Sequence, residues 1–353
     1  MTYRKWIDVA KGIGILLVIL VHSNFNPLAV AVISTFNMPL FFFLSGYVYH
    51  YSKYKQDPNQ FISQKLKRLV IPYFITNIII FSTYILLSYL NVYSLNGTPP
   101  VNYLVGIIYG NGAPLNPPTM FTNILSIPSW FLLSLFCAFL LLYILAGIHE
   151  KFGLKISGVF VILFFVFGYK ISKYLLLPWG FDIACVSMVF MFSAYLISQY
   201  QGKMSYYKEL LSSIPFERIK TFLYYCFIIA ILWAIISING RVDMNTRNYA
   251  NPLIFCIGGL LGTFIIIGFS RRVSQKDGVL TKSLVFLGKN SLVILLYHSF
   301  TSVLLILILG LFVNAKEVIY NSPILSIFNM LLTSIVVILF MKKLPLFEKI
   351  YFT

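Results

Sequence analysis

Ten stretches of this chain, roughly residues 10–25, 29–50, 69–90, 129–147, 156–169, 174–198, 221–238, 252–270, 290–313 and 323–341, are predominantly apolar. Most approach the roughly 20 residues that a helix needs to cross a hydrocarbon core. The fifth is short. In lipid every backbone N–H and C=O must be satisfied internally, and apolar runs of this length do that as helices. The expected fold class is therefore all-α, a polytopic membrane helical bundle of about ten transmembrane helices, forming one unit over residues 1–353. Composition agrees: 59% of residues are hydrophobic and only 10% are charged, against about 25% charged in ordinary soluble domains. So few ionisable groups exclude a soluble enzyme, a disulfide scaffold and a disordered tail. The net charge of +17 does not point to nucleic acid, because the basic residues fall between the apolar runs, as in membrane proteins.

Those loop charges also set an orientation. With the N-terminus in the cytoplasm, 22 of the 27 Lys and Arg residues fall in cytoplasmic segments, as retention of positive loops on that side requires. An odd number of spans would scramble the separation, so both termini are expected inside. Asp8 and Lys11 interrupt any signal-peptide core, and the first stretch reads as an uncleaved span. Cys137, Cys185, Cys226 and Cys256 each stand alone in apolar surroundings, and no His, Cys or carboxylate residues fall at metal-ligand spacing. No metal and no permanently bound cofactor is expected.

Ionisable residues inside spans are costly to bury and point to function. The first span carries Asp8, Lys11 and His22. Arg4, Asp8 and Lys11 follow one another at i,i+4 and i,i+3, placing a carboxylate between two cations on one helix face. Lys11 and His22, eleven residues apart, share a face but differ in depth by roughly 16 Å. His22 would then lie about halfway across the core, in a polar neighbourhood made by Ser23, Asn24 and Asn26 before Pro27 ends the helix. In the second span Pro39 frees a carbonyl, and Ser45 with Gly46 permits close helix approach. Lys65 and Arg68, one turn apart, could join Lys11 in an anion site suited to phosphate, or simply anchor a cytoplasmic loop. The segment Asn91–Ser129 contains no charged residue and is rich in Asn, Pro, Gly and Tyr. It could offer hydrogen bonds and stacking faces to a neutral sugar, or merely fold over the bundle.

Arg4-Lys-Trp6-Ile-Asp8-Val-Ala-Lys11-Gly12 running on to His22, then Met38-Pro39-Leu-Phe-Phe-Phe-Leu44-Ser45-Gly46, then Lys65-x-x-Arg68-x-x-x-Pro72, resemble the acyltransferase 3 family of integral membrane acyltransferases. Pro128-Ser-Trp130-Phe-Leu-Leu and Leu287-Gly288-Lys289-Asn290-Ser291 followed by Tyr297-His298 are similar to its later segments. The most specific element is a basic residue, ten others, then His; Lys11 stands where Arg is frequent. The resemblance implies transfer of an acyl group, usually acetyl, from cytoplasmic acyl-CoA to a glycan hydroxyl on or beyond the outer face. It implies His22 and Asp8 as catalytic candidates, Lys11, Lys65 and Arg68 for the CoA phosphates, and Ser45, Trp130 and His298 for substrate. Some family members carry an acid one turn after the tryptophan; Trp130-Phe131-Leu132-Leu133-Ser134 has none, leaving Asp8 or Asp182. His298 is open between a substrate contact and a structural hydrogen bond. His50 and His149 read as solvated groups at helix ends. Asp182 could pair with Lys170 or Lys173, and Arg241, Asp243 and Arg247 form an outer charged cluster.

The expectation is a multi-pass O-acetyltransferase of the bacterial cytoplasmic membrane, with partners acetyl-CoA, a surface polysaccharide such as capsule or its lipid-linked precursor, and the lipid bilayer. A transporter of a lipid-linked sugar or small anion is the rival. Against it, the prolines and polar intramembrane residues crowd the first three spans without the matching second half common in transporters.

Overall fold

The computed structural model describes residues 4–95, 98–112, 127–211, 230–231, 234, 238–310 and 315–352. The described chain is helical, with no strand beyond an isolated antiparallel bridge between Asp243 and Asn248. In chain order the helices are α1 (Lys5–Val21), α2 (Pro27–Tyr47), α3 (Pro58–Lys65), α4 (Ile71–Tyr89) and α5 (Pro100–Tyr109). There follow α6 (Trp130–Ile171), α7 (Phe181–Leu211), α8 (Pro252–Val273), α9 (Val279–Lys289), α10 (Ser291–Gly310), α11 (Ala315–Asn321), α12 (Pro323–Met341) and α13 (Pro345–Tyr351). Helices α2, α3, α5, α8, α12 and α13 open on proline, whose fixed φ and missing N–H suit the first helical position. Asn26, Asp57, Asn251 and Ser322 cap α2, α3, α8 and α12 through their side-chain oxygens.

Seven helices among the described residues are long and apolar enough to cross a membrane, α3 and α4 counting as one through a π-helical turn at Leu66–Val70. They account for most of the expected spans. The expected fourth and fifth stretches merge into α6, whose 42 residues would extend about 63 Å if straight, twice a hydrocarbon core. Gly153, at φ 78° and ψ −174°, breaks it into two helices. The expected span 221–238 lies almost entirely outside the described residues. The Asn91–Ser129 segment, where no helix was expected, contains α5; parts of it, 96–97 and 113–126, are not described.

The distribution of polarity is that of a molecule solvated by lipid. Along α12, Ile324, Phe328, Leu332, Val336 and Phe340 form an exposed i,i+4 stripe, while Ser326, Asn329 and Ser334 on its other face are buried. Asn329 donates to the Ser302 hydroxyl of α10 at 2.8 Å. Polar groups hold the helices together and apolar ones face outward, the reverse of a soluble bundle.

Helix α1 is central, packed on α2, α8, α9 and α10. Its approach to α9 is set by two glycines: Gly12 lies against the Leu284 carbonyl and Gly288 against the Asp8 carbonyl, leaving no room for a Cβ at either. Packing without side chains in between brings backbones as close as van der Waals contact allows, a main source of helix association in lipid. Gly46 does the same between α2 and the Met191 carbonyl of α7.

Candidate functional site

The turn after α1 makes the first part of the site. The His22 N–H bonds to the Val18 and Ile19 carbonyls at 3.3 and 3.1 Å, and the Ser23 hydroxyl donates to the Leu20 carbonyl at 2.8 Å. Asn24 then takes a left-handed conformation at φ 53°, which asparagine tolerates better than most residues. The Asn26 side chain accepts from the Leu28 and Ala29 N–H groups, starting α2. The turn-forming choices at Ser23, Asn24 and Asn26 thus end α1 at His22. His22 itself is exposed.

Facing it is His298, from the second turn of α10. The ring centroids are 5.2 Å apart with the planes inclined by 50°. His298 is fully buried. Its Nδ1 lies 2.8 Å from the Ile294 carbonyl and 3.1 Å from that of Leu295, whereas Nε2 is buried with no partner. The preceding residue is also fixed: Tyr297 shares a hydrogen bond with the Tyr351 hydroxyl at 3.0 Å, and Tyr351 bonds to Thr76 of α4 at 2.7 Å. The last helix, α13, thereby pins α10 beside the histidine pair.

Toward the other end of α1 the expected basic rim assembles. Lys11 lies within electrostatic range of both Asp8 and Arg68. Lys65 and Arg68 flank each other at the π-helical turn, a distortion that often marks functional sites because the added residue redirects side chains. The Lys65 ammonium is turned onto the Phe139 ring of α6, 3.3 Å from its centroid, while Arg68 is exposed. Arg4 donates to the Tyr47 hydroxyl at 2.6 Å, and the Trp6 ring meets Tyr47 edge-on. Ser45 lies two residues from that anchor, and the rise from Pro27 to Ser45 along α2 is about 27 Å. Ser45 is thus at the Asp8–Lys11 end, and the structure does not bring it to the histidines.

Trp130 opens α6, buried and edge-on to Phe131, which packs against Phe41 and Phe42. The Ile127–Ser129 turn before it packs on α10, and the Ser129 hydroxyl accepts from Asn77 at 3.2 Å. The turn that precedes Trp130 therefore lies against the helix that bears His298.

The end away from the basic rim corrects one sequence expectation and supplies what it missed. Asp182 pairs with neither Lys170 nor Lys173. Its Oδ2 accepts from Arg247 Nε at 2.7 Å and its Oδ1 from Nη2 at 3.2 Å, both residues being buried. The guanidinium also donates to Asn111 Oδ1 at 2.6 Å and to the Asn245 carbonyl at 2.7 Å. Arg247 is consequently not part of an outer cluster open to ligand. Arg241 and Asp243, in the loop that this clasp holds, are the charges acting on His22 from that side. Asp182 stood out in the sequence as a charge beside a span, but nothing there paired it with Arg247, 65 positions away. In the uncharged Asn91–Ser129 segment, Tyr103 donates to the Leu95 carbonyl, and Tyr109 to that of Leu176, so these groups fold the segment onto its neighbours. His149 is bonded across the Gly153 break to the Ser157 hydroxyl at 3.2 Å, rather than solvated.

The arrangement is a buried imidazole, His298, against an exposed one, His22, between a basic end and the charged loop that bears Arg241 and Asp243. A family model described as an acyltransferase domain, that of acyltransferase 3, matches residues 4–342. No curated protein and no solved structure matches the chain.

Proposed function

The chain belongs to the acyltransferase 3 family, and from that premise we propose that it moves an acetyl group from acetyl-CoA, bound at the cytoplasmic end, to a hydroxyl of a cell-surface glycan or its lipid-linked precursor. The observation that carries this reading is the position of His22: exposed at the end of α1, beside a second histidine, and roughly 16 Å along the same helix from Lys11 in the Lys11–Arg68 rim. Cations at that rim suit the phosphates of CoA, Arg68 offering a planar fork and Lys11 a point charge. Lys65, seated on Phe139, contributes its charge with less freedom to move. The outer loop that bears Arg241 and Asp243 borders the side from which a carbohydrate would come.

In this mechanism a His22 ring nitrogen takes the proton of the acceptor hydroxyl as its oxygen attacks the thioester carbonyl carbon. The C–O bond forms, the C–S bond breaks, and the imidazolium returns the proton to the leaving sulfur, giving an ester and free CoA thiol. A neutral imidazole has the basicity for this near pH 7. Trp130 would present a face to the acceptor ring, and Asp8 would hold Lys11 in place.

The test replaces His22 with Ala, verifies equal membrane abundance, and counts acetyl esters on surface glycans by mass spectrometry. General-base catalysis contributes about 10²- to 10⁴-fold, so esters should fall to background. Esterification at the wild-type level would remove His22 from the mechanism.

A further inference from the structure

The unpartnered nitrogen of His298 has a consequence for His22. A carbonyl oxygen only accepts, so Nδ1, in contact with two of them, carries the hydrogen. A ring protonated on both nitrogens would place an uncompensated charge in a fully buried site, with Nε2–H donating to nothing. His298 is therefore the Nδ1–H tautomer, and its Nε2 is a lone pair held in the interior without a donor. Buried acceptors without donors are rare and call for an explanation. The aromatic group placed against it is His22, and 5.2 Å between centroids leaves the ring edges at hydrogen-bonding separation once they turn toward each other.

We infer that His298 is the positioning residue of the reaction: its Nε2 accepts the second N–H of His22, orienting that ring and stabilising the imidazolium formed when His22 takes the acceptor's proton. The inference rests on the reading of His22 as general base. It gives His298 the part that a carboxylate commonly plays behind a catalytic histidine, in a chain that has no acid in the turn after Trp130. A carboxylate there would be a buried charge whenever His22 is neutral; a neutral imidazole lone pair is not. The backbone carbonyls of α10 fix the tautomer, and the Thr76–Tyr351–Tyr297 chain fixes the helix. No proton needs to reach His298 itself. Its lone pair accepts a hydrogen bond, and the proton on His22 leaves with the CoA thiol.

The experiment uses the full-length protein in lipid nanodiscs, acetyl-CoA as the probe and water as acceptor, following release of CoA thiol. Glutamine at 298 can place an amide oxygen where Nε2 lies; asparagine reaches only the Nδ1 position. For metal-bound histidines, loss of the hydrogen-bond partner behind the ring costs about 10- to 100-fold in activity, and a loss of the same order is expected for His22. His298→Ala and His298→Asn should each lower kcat by that factor with the KM for acetyl-CoA unchanged, while His298→Gln recovers most of the rate. Equal rates for Gln and Asn, or a loss confined to KM, would overturn the assignment. So would unfolding of all three variants, which would make His298 a packing residue. Thiol release that survives in His22→Ala would instead count against the general base, so the two failures are distinct.

Discussion

At the scale of single residues, burial converts ordinary side chains into commitments. Arg247 adopts a left-handed backbone at φ 59°, a conformation that costs a bulky residue about 1–2 kcal/mol, and its guanidinium satisfies Asp182, Asn111 and the Asn245 carbonyl at once. Removing one member of a buried ion pair leaves the other uncompensated. Arg247→Met should therefore destabilise the protein by about 3–5 kcal/mol, whereas Arg247→Met with Asp182→Leu should cost less. Thermal unfolding in detergent distinguishes the two outcomes; equal losses would show that the guanidinium acts through its other partners. Residue-level legibility was uneven for a physical reason. Asp8, Lys11 and His22 were visible because charge or imidazole in the first span stands out in one dimension, and Lys65 with Arg68 because their one-turn spacing sets two cations on one helix face. The roles of Asn111 and Arg247 were not, because they depend on who lies opposite. Ser45 was named for its sequence context, and the rise of α2 carries it to the other end.

At the scale of elements, small residues and helix breaks decide the packing. The Gly12–Leu284 and Gly288–Asp8 contacts seat α1 against α9, which fixes the end of α1 where Lys11 meets Arg68. Gly153 works differently. Nothing lies within reach of an added Cβ, yet its φ of 78° with ψ of −174° belongs to a region open almost only to glycine. Gly153→Ala should thus cost about 1–3 kcal/mol through the backbone alone, read as a lower unfolding temperature with activity retained at low temperature. An unchanged unfolding temperature would mean that the break moves to a neighbouring residue. The sequence indicated two apolar stretches here but could not show the angle between them, since that is a property of one torsion pair.

For the whole molecule, contacts group the segments by side. Lys5 pairs with Asp277, Lys55 with Glu150, and Arg271 lies over Trp6. All these join segments that loop charge assigns to the cytoplasm. Asn111, Asp182 and Arg247, and likewise Trp179 donating to the Ile108 carbonyl, join segments assigned outside. A cysteine placed at the exposed Arg241 should react with a membrane-impermeant maleimide in intact cells, and one at the exposed Lys67 only after permeabilisation. The described native cysteines, Cys137, Cys185 and Cys256, are buried, so the parent protein supplies the background. The opposite labelling pattern would invert the orientation and place the basic rim away from cytoplasmic CoA.

Alone, the sequence determined that the chain forms apolar helices with basic loops gathered on one side, because hydropathy and charge along a chain are local quantities that lipid reads directly. It also carried the motif that brings His22 to the end of α1, since helix rise and turn chemistry follow from neighbouring residues. Only the tertiary structure decided that His298 stands opposite with a bare nitrogen and that Asp182 is neutralised by Arg247. Those facts depend on which helix faces which, and helix pairing is settled by contacts between residues far apart in the chain.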